Sequence, residues 1–240
     1  MYDLHNHLLP GIDDGAPNIE TALELARIAI DDGITHMVCT PHIHPGRYDN
    51  NITTIQSALQ EFRSALQQNN LNLKIAAAAE VRIGPEIINA VKNQTLPFLG
   101  EWQTSPVLLL ELPSNIIPVG SDNLTKWLLF QGITPIIAHP ERNLAIINNP
   151  GKLKPFLDQG CLLQITGGAL TGNFGQASKA IAQQLLLENK VTIMATDAHN
   201  IKYRPPKLTN SLQAATELIG ENAAKKLVLD NPIEMTKNIF

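Results

Sequence analysis

Short apolar runs rich in β-branched residues alternate along the chain with stretches whose apolar positions recur every three or four residues. That alternation predicts βα units around a parallel sheet. Strands are expected near 2–7, 35–40, 73–80, 107–112, 134–138, 161–166 and 191–196. Helices are expected at 18–32, 53–69, 122–131, 151–159, 176–189, 207–219 and 221–229. In the first helix Ile19, Leu23, Ala26 and Ile30 share one face, with Asn18 as N-cap and Gly33 as the residue past its end. The segment 84–105 fits the alternation least well and reads as a short helix followed by a hairpin or loop.

No internal repeat and no Ser/Gly/Pro-rich linker divides the sequence, so residues 1–240 are expected to form one domain. The predicted architecture is α/β: a seven-stranded (β/α) barrel, TIM-barrel-like in plan. Turns at Pro10 to Gly15 and Pro41 to Gly46 follow the first two strands. They lie on the strand-to-helix side, where barrel active sites are built.

The polar residues that interrupt this pattern carry the chemistry. Six of the seven predicted strands end in residues able to bind a metal: His5 and His7, His42, Glu80, Glu111, His139, then Asp197 and His199. Five of the seven histidines belong to that set. His5 and His7, two apart on a strand, point the same way, and Asp197 and His199 repeat that spacing. Glu80 and Glu111 each close a strongly apolar run, where a charge is costly unless it is paired or coordinates a cation. In a parallel barrel such side chains converge on one rim, where a multi-metal hydrolytic centre can form. Asp13 and Asp14 follow the first strand in the turn GIDDG, and spacing does not decide which of them joins the set.

Arg142, three residues past His139, and Arg204, five past His199, are candidates to bind a phosphate and steady its charge. His44 is a candidate to face substrate or donate a proton, whereas His36 reads as structural. Cys39 invites comparison with cysteine-dependent phosphatases, but the next arginine, Arg47, follows with seven residues between and Cys39 sits inside a predicted strand. It reads as a small core residue. Neither a P-loop nor a G-x-S-x-G or G-x-G-x-x-G motif is present.

A 44% hydrophobic composition supports a packed core, and a net charge of −4 disfavours nucleic acid or an anionic membrane as a partner. Two cysteines fit a reducing, cytoplasmic setting, and neither a signal peptide nor a membrane-length apolar run is visible.

The stretches DLHNHLLPGIDDGA, GITHMVCTPH, AAAAEVRI, LLLELP, IIAHPERN and MATDAHN followed by YRPP span nearly the whole chain. With them the sequence resembles the PHP (polymerase and histidinol phosphatase) superfamily. Within it, the sequence is most similar to bacterial metal-dependent tyrosine-protein phosphatases of the CpsB/YwqE type. The resemblance implies a distorted PHP barrel and a trinuclear centre. His5, His7, Glu80 and Asp197 would surround one ion, and Glu80 would bridge to a second held with Glu111 and His139. Asp14, His42 and His199 would hold the third. It further implies manganese, with iron or zinc as alternatives, and hydrolysis of phosphotyrosine by a metal-bound hydroxide, with Arg142, Arg204 and His199 or His44 assisting. The implied partner is the tail of an autophosphorylating tyrosine kinase that controls capsular or extracellular polysaccharide synthesis. Two other readings stand beside it. One is a phosphoesterase acting on a small phosphomonoester such as histidinol phosphate, or on a nucleic-acid 3′ end. The other is a catalytically silent binding domain.

Overall fold

In the computed structural model, which describes residues 1–240, ten strands are assigned: β1 (Tyr2–Asp3), β2 (His36–Cys39), β3 (His42–Ile43), β4 (Lys74–Ala77), β5 (Glu80–Arg82), β6 (Glu101–Trp102), β7 (Ser105–Glu111), β8 (Thr134–Ala138), β9 (Leu162–Thr166) and β10 (Ile193–Ala195). They form the orders β1-β2-β4 and β10-β9-β8-β7-β5-β3, every pair parallel. β6 adds an antiparallel hairpin to β7.

Seven continuous paths account for nine of these strands. β2 runs on into β3 and β4 into β5, each across a short break in the ladder. At the first break Pro41 has no N–H to donate. Backbone bonds nevertheless stitch the paths together there, from Ala78 N to Cys39 O (2.8 Å) and from Glu80 N to Pro41 O (3.1 Å). The ring closes where Asp197 N donates to His5 O and His7 N to Ala198 O, both at 2.8 Å. The seven-stranded (β/α) barrel expected from the sequence is therefore present.

Strand parity sorts the side chains into two cores. Leu108 and Leu110 point outward into a cluster of 49 buried residues between barrel and helices. Val107 and Leu109 point inward into a smaller cluster of 11, with Leu4, Val38, Ala76, Ala78, Ile136 and Ile193. Continuing that inward parity toward the strand ends leads to Glu111 on β7, Glu80 on β5, His42 on β3 and Asp197 beyond β10. The apolar strands thus deliver their terminal polar residues to one mouth.

The segment 84–105 holds a helix, Glu86–Lys92, and the β6–β7 hairpin. It also supplies Leu99, which joins Met235 in the inner cluster. Gly100 is obligatory there: its φ is +137°, and a Cβ would lie 2.0 Å from Met235 O. The expected helix at 18–32 is Ile19–Asp31, capped by Asn18, whose side chain accepts from Thr21 N at 2.9 Å. The stretch read as one helix over 151–159 is a 3-10 turn, Pro150–Leu153, followed by Lys154–Gln159, because Pro155 and Gly151 disfavour an uninterrupted start. His36 stacks on Tyr2 (centroids 4.1 Å apart) and meets Phe240, so it is structural.

Candidate metal centre

The barrel mouth gathers all nine ligand candidates into four overlapping clusters: His7 with Asp14, His42 and His199; His5 with His7 and Glu80; His5 with His139 and Asp197; His42 with Glu80 and Glu111. Two of these residues leave the regular strand geometry to reach the site. His139 (φ +32°) and Asp197 (φ +51°) occupy the left-handed region, strained for residues with a Cβ. At His139 this turn redirects the chain out of β8 into the 3-10 turn Pro140–Arg142.

His5 Nε2 lies 3.3 Å from His7 Nε2, 3.3 Å from Glu80 Oε2 and 3.4 Å from Asp197 Oδ1. His7 Nε2 lies 3.4 Å from each of the same two carboxylate oxygens. Ligands about 2.0–2.1 Å from a shared ion at near-tetrahedral angles are spaced by roughly that distance. Asp14 Oδ1 faces His42 Nε2 at 3.3 Å and His199 Nε2 at 3.6 Å. Glu80 spans the centre: Oε2 faces His5, His7 and His42, while Oε1 accepts from His139 Nε2 at 2.7 Å. Glu111 groups with His42 and Glu80, and His139 with His5 and Asp197.

Behind the ligands, further groups fix the imidazole tautomers. His5 Nδ1 donates to Gln164 Oε1 (2.8 Å), His7 Nδ1 to Asp13 Oδ2 (2.6 Å) and His199 Nδ1 to the Asp197 carbonyl (2.9 Å). In each case Nε2 is left as a lone pair aimed at the cluster. Asp13 also accepts from Gly15 N and His42 N, so of the two turn aspartates Asp14 faces the cavity and Asp13 supports. Gly15 permits this: a Cβ there would sit 1.9 Å from His7 O.

The buried groups of the mouth perturb one another's charge. Burial pulls the His7 imidazole down, but Asp13, with Asp197 and Glu80, outweighs it and holds the ring well above the ordinary histidine range. For His42, burial is outweighed by Asp14 and Glu80, which push it up to about 9. Burial and the Glu80 charge push Glu111 up to about 7. Burial, then Arg142, lowers His139 to about 4, which keeps it a neutral donor. Glu80 is 1% exposed; its Oε2 lies 3.0 Å from His42 Nδ1, and Glu111 Oε2 lies 3.2 Å from Arg82 Nε, but none of these atoms makes a hydrogen bond of good geometry. Orphaned buried donor atoms converging from imidazoles and carboxylates, with no thiolate, fit hard or borderline divalent ions such as manganese, iron or zinc.

Arg142 Nη1 and Arg204 Nη2 both bind Asp197 Oδ2, the oxygen turned away from His5. Both arginines and His44 line a wholly polar cavity of about 150 Å³ over the cluster. Arg47, Arg82 and Ser114 line it too and were not singled out by the sequence. Arg82, two residues past Glu80, was legible from parity, and its Nε lies 3.2 Å from Glu111 Oε2. Gln164 gave no signal beyond an amide on an inward strand position. Cys39 is fully buried in the outer core, and burial raises its thiol, so it is no nucleophile.

A family model for capsular polysaccharide synthesis, CpsB/CapC, matches residues 1–237. CapC of Staphylococcus aureus, provisionally named a tyrosine-protein phosphatase, is 38% identical over 85% of this chain and 79% of its own. Among solved structures, one from work on YwqE of Bacillus subtilis and CpsB of Streptococcus pneumoniae superposes with a TM-score of 0.90 at 31% identity. It covers 99% of this chain and 95% of the other, and those proteins are described as unique metal-dependent tyrosine phosphatases. A lactonase of Listeria monocytogenes shares the fold alone, with a TM-score of 0.57 at 13% identity over 98% and 93% of the two chains. The seven-stranded barrel and the match along almost its entire length place the chain in the CpsB/CapC family.

Proposed function

We propose that the protein is a metal-dependent phosphatase that hydrolyses phosphotyrosine in proteins, a phosphoric monoester hydrolase that uses no cysteine. The observation that carries this reading is the all-polar cavity in which candidate metal ligands and four arginines face one space. Its relatives' names as tyrosine-protein phosphatases support it.

His5, His7, Glu80 and Asp197 would hold one divalent ion, and Asp14, His42 and His199 another. Glu111 and His139 flank Glu80, which links the groups. Manganese leads among the candidate ions, with iron or zinc as alternatives. When bound, such ions make water nucleophilic near neutral pH by lowering its pKa from ~15.7 toward ~7, and they neutralise phosphoryl charge. Arg142 and Arg204, which line the cavity, bind the non-bridging phosphate oxygens. A phenolate leaves with an intrinsic pKa near ~10 and has modest need of a proton donor. Both His199 nitrogens are committed in this reading, Nδ1 to the Asp197 carbonyl and Nε2 to the ion it would share with Asp14 and His42, so His44 on the rim is the imidazole available to protonate it.

The physiological substrate in this reading is an autophosphorylating tyrosine kinase of capsule or exopolysaccharide synthesis, acted on in the cytoplasm. No helix is long and apolar enough to cross a membrane. The test compares turnover of metal-loaded protein on phosphotyrosine peptide, phosphoserine peptide and histidinol phosphate. Phosphotyrosine should be preferred. Preference for histidinol phosphate would move the substrate to small phosphomonoesters, and inertness toward all three would favour a binding role.

A further inference from the structure

The cavity over the cluster has no apolar lining residue, yet phosphotyrosine brings a phenyl ring as well as a phosphate. A second cleft adjoins it, and the two share Glu111, Ser114, His139 and Arg142 as common wall. The apolar side of this cleft is formed by Leu112, Leu144, Ile147 and Phe174. We propose that this cleft is the aryl slot of the site, which makes the enzyme selective for phosphate esters of an aromatic ring. The proposal rests on the phosphatase reading above and assigns its specificity.

Size, chemistry and rigidity agree. The cleft encloses about 280 Å³, whereas a cavity of about 150 Å³ suffices to hold benzene. Leu112 is buried, but Leu144 is 50% exposed, an apolar side chain left open to whatever enters. Ser178, which also lines the cleft, is 2% exposed and belongs to its floor. Asn143 ties the walls together. Its amide donates to Pro113 O (2.6 Å) and Ile116 O (3.0 Å), and Leu144 N donates to Ser114 O (2.8 Å). The Arg142 guanidinium lies over the Phe174 ring, 4.6 Å from its centroid. The residue assigned to phosphate therefore leans on the residue assigned to the ring.

A ligand that fills both spaces has an anion at one end and a flat apolar body at the other, with Arg142 at the junction. An aryl phosphate has that form. A phosphoserine ester would leave the slot empty and forfeit its apolar contacts.

The test uses metal-loaded full-length protein and two simple esters, phenyl phosphate and glycerol 2-phosphate. In Leu144→Ser the ratio of kcat/KM for the aryl to the alkyl ester should fall about tenfold, mainly through KM. Phe174→Ala should lower the same ratio, and Phe174→Tyr, which keeps the ring, should restore it. Metal content and thermal unfolding of Leu144→Ser report that the fold is kept, because half of that side chain already faces solvent. A ratio unmoved in Leu144→Ser, in a protein active on either ester, overturns the slot. Wild-type protein inert toward both esters overturns the phosphatase reading, and the slot with it.

Discussion

Gln164 is the most revealing position to perturb, because it touches no ion and acts only through His5. It is fully buried, and its Oε1 accepts from His5 Nδ1 at 2.8 Å while its Nε2 has no partner. Gln164→Leu keeps the volume, removes the acceptor and leaves the His5 ring free to turn or change tautomer. Loss of such a supporting group weakens metal affinity by roughly 10–100-fold, or ~1.4–2.7 kcal/mol. Fold stability without metal should change less, since the newly unpartnered His5 N–H is offset in part by removal of the orphaned amide. Gln164→Glu restores an acceptor with a charge and should recover wild-type affinity or exceed it. Competition titration against a chromophoric chelator gives the affinities, and thermal unfolding with and without metal separates binding from folding. Wild-type affinity in Gln164→Leu would refute the tautomer argument, because it would mean that His5 is oriented by something else or is not a ligand.

Other outcomes follow from the same geometry. Gly15→Ala should displace His7, whose carbonyl oxygen the new Cβ would meet at 1.9 Å. The overpacking is worth ~1–3 kcal/mol in thermal or denaturant unfolding, and metal retention should fall with it. Arg142→Ala should lower turnover on phosphotyrosine peptide by about 10²–10³-fold with the ions retained by elemental analysis. Unchanged turnover would remove Arg142 from phosphate binding. Metal uptake at pH 7.5 should release protons. Asp14 and Glu80, outweighing burial, hold His42 charged up to about 9 in the metal-free protein, and a ligand nitrogen must be deprotonated. Affinity should therefore fall as pH is lowered, and calorimetric heats should depend on the ionisation enthalpy of the buffer. Buffer-independent heats would contradict this.

The barrel and the convergence of the candidate ligands were legible because strand parity is written directly in the chain. Val107, Leu109 and Glu111 share one face, and so do Ala76, Ala78 and Glu80, so a carboxylate closing an inward apolar series must arrive at the mouth. The helix from Ile19 to Asp31 was equally readable from its Asn18 cap. What escaped depends on contacts across the ring. Asp13 and Asp14 are neighbours in one turn, and only the folded position of His7 turns one behind the ring and the other into the cavity. Gln164 becomes meaningful only when β9 lies within reach of His5. The convergence of Arg142 and Arg204 on one oxygen of Asp197, and the placing of Phe174 beneath Arg142, join segments with no periodic signal between them.

The most direct measurement of the central claim is anomalous diffraction from crystals grown with manganese, iron or zinc, recorded at the absorption edge of each metal. The account predicts one peak among His5 Nε2, His7 Nε2, Glu80 and Asp197 and another among Asp14, His42 and His199, with phosphotyrosine hydrolysis abolished by chelation and restored by the same metal. Featureless maps at the barrel mouth, from protein that still hydrolyses phosphotyrosine in the presence of chelator, would contradict it.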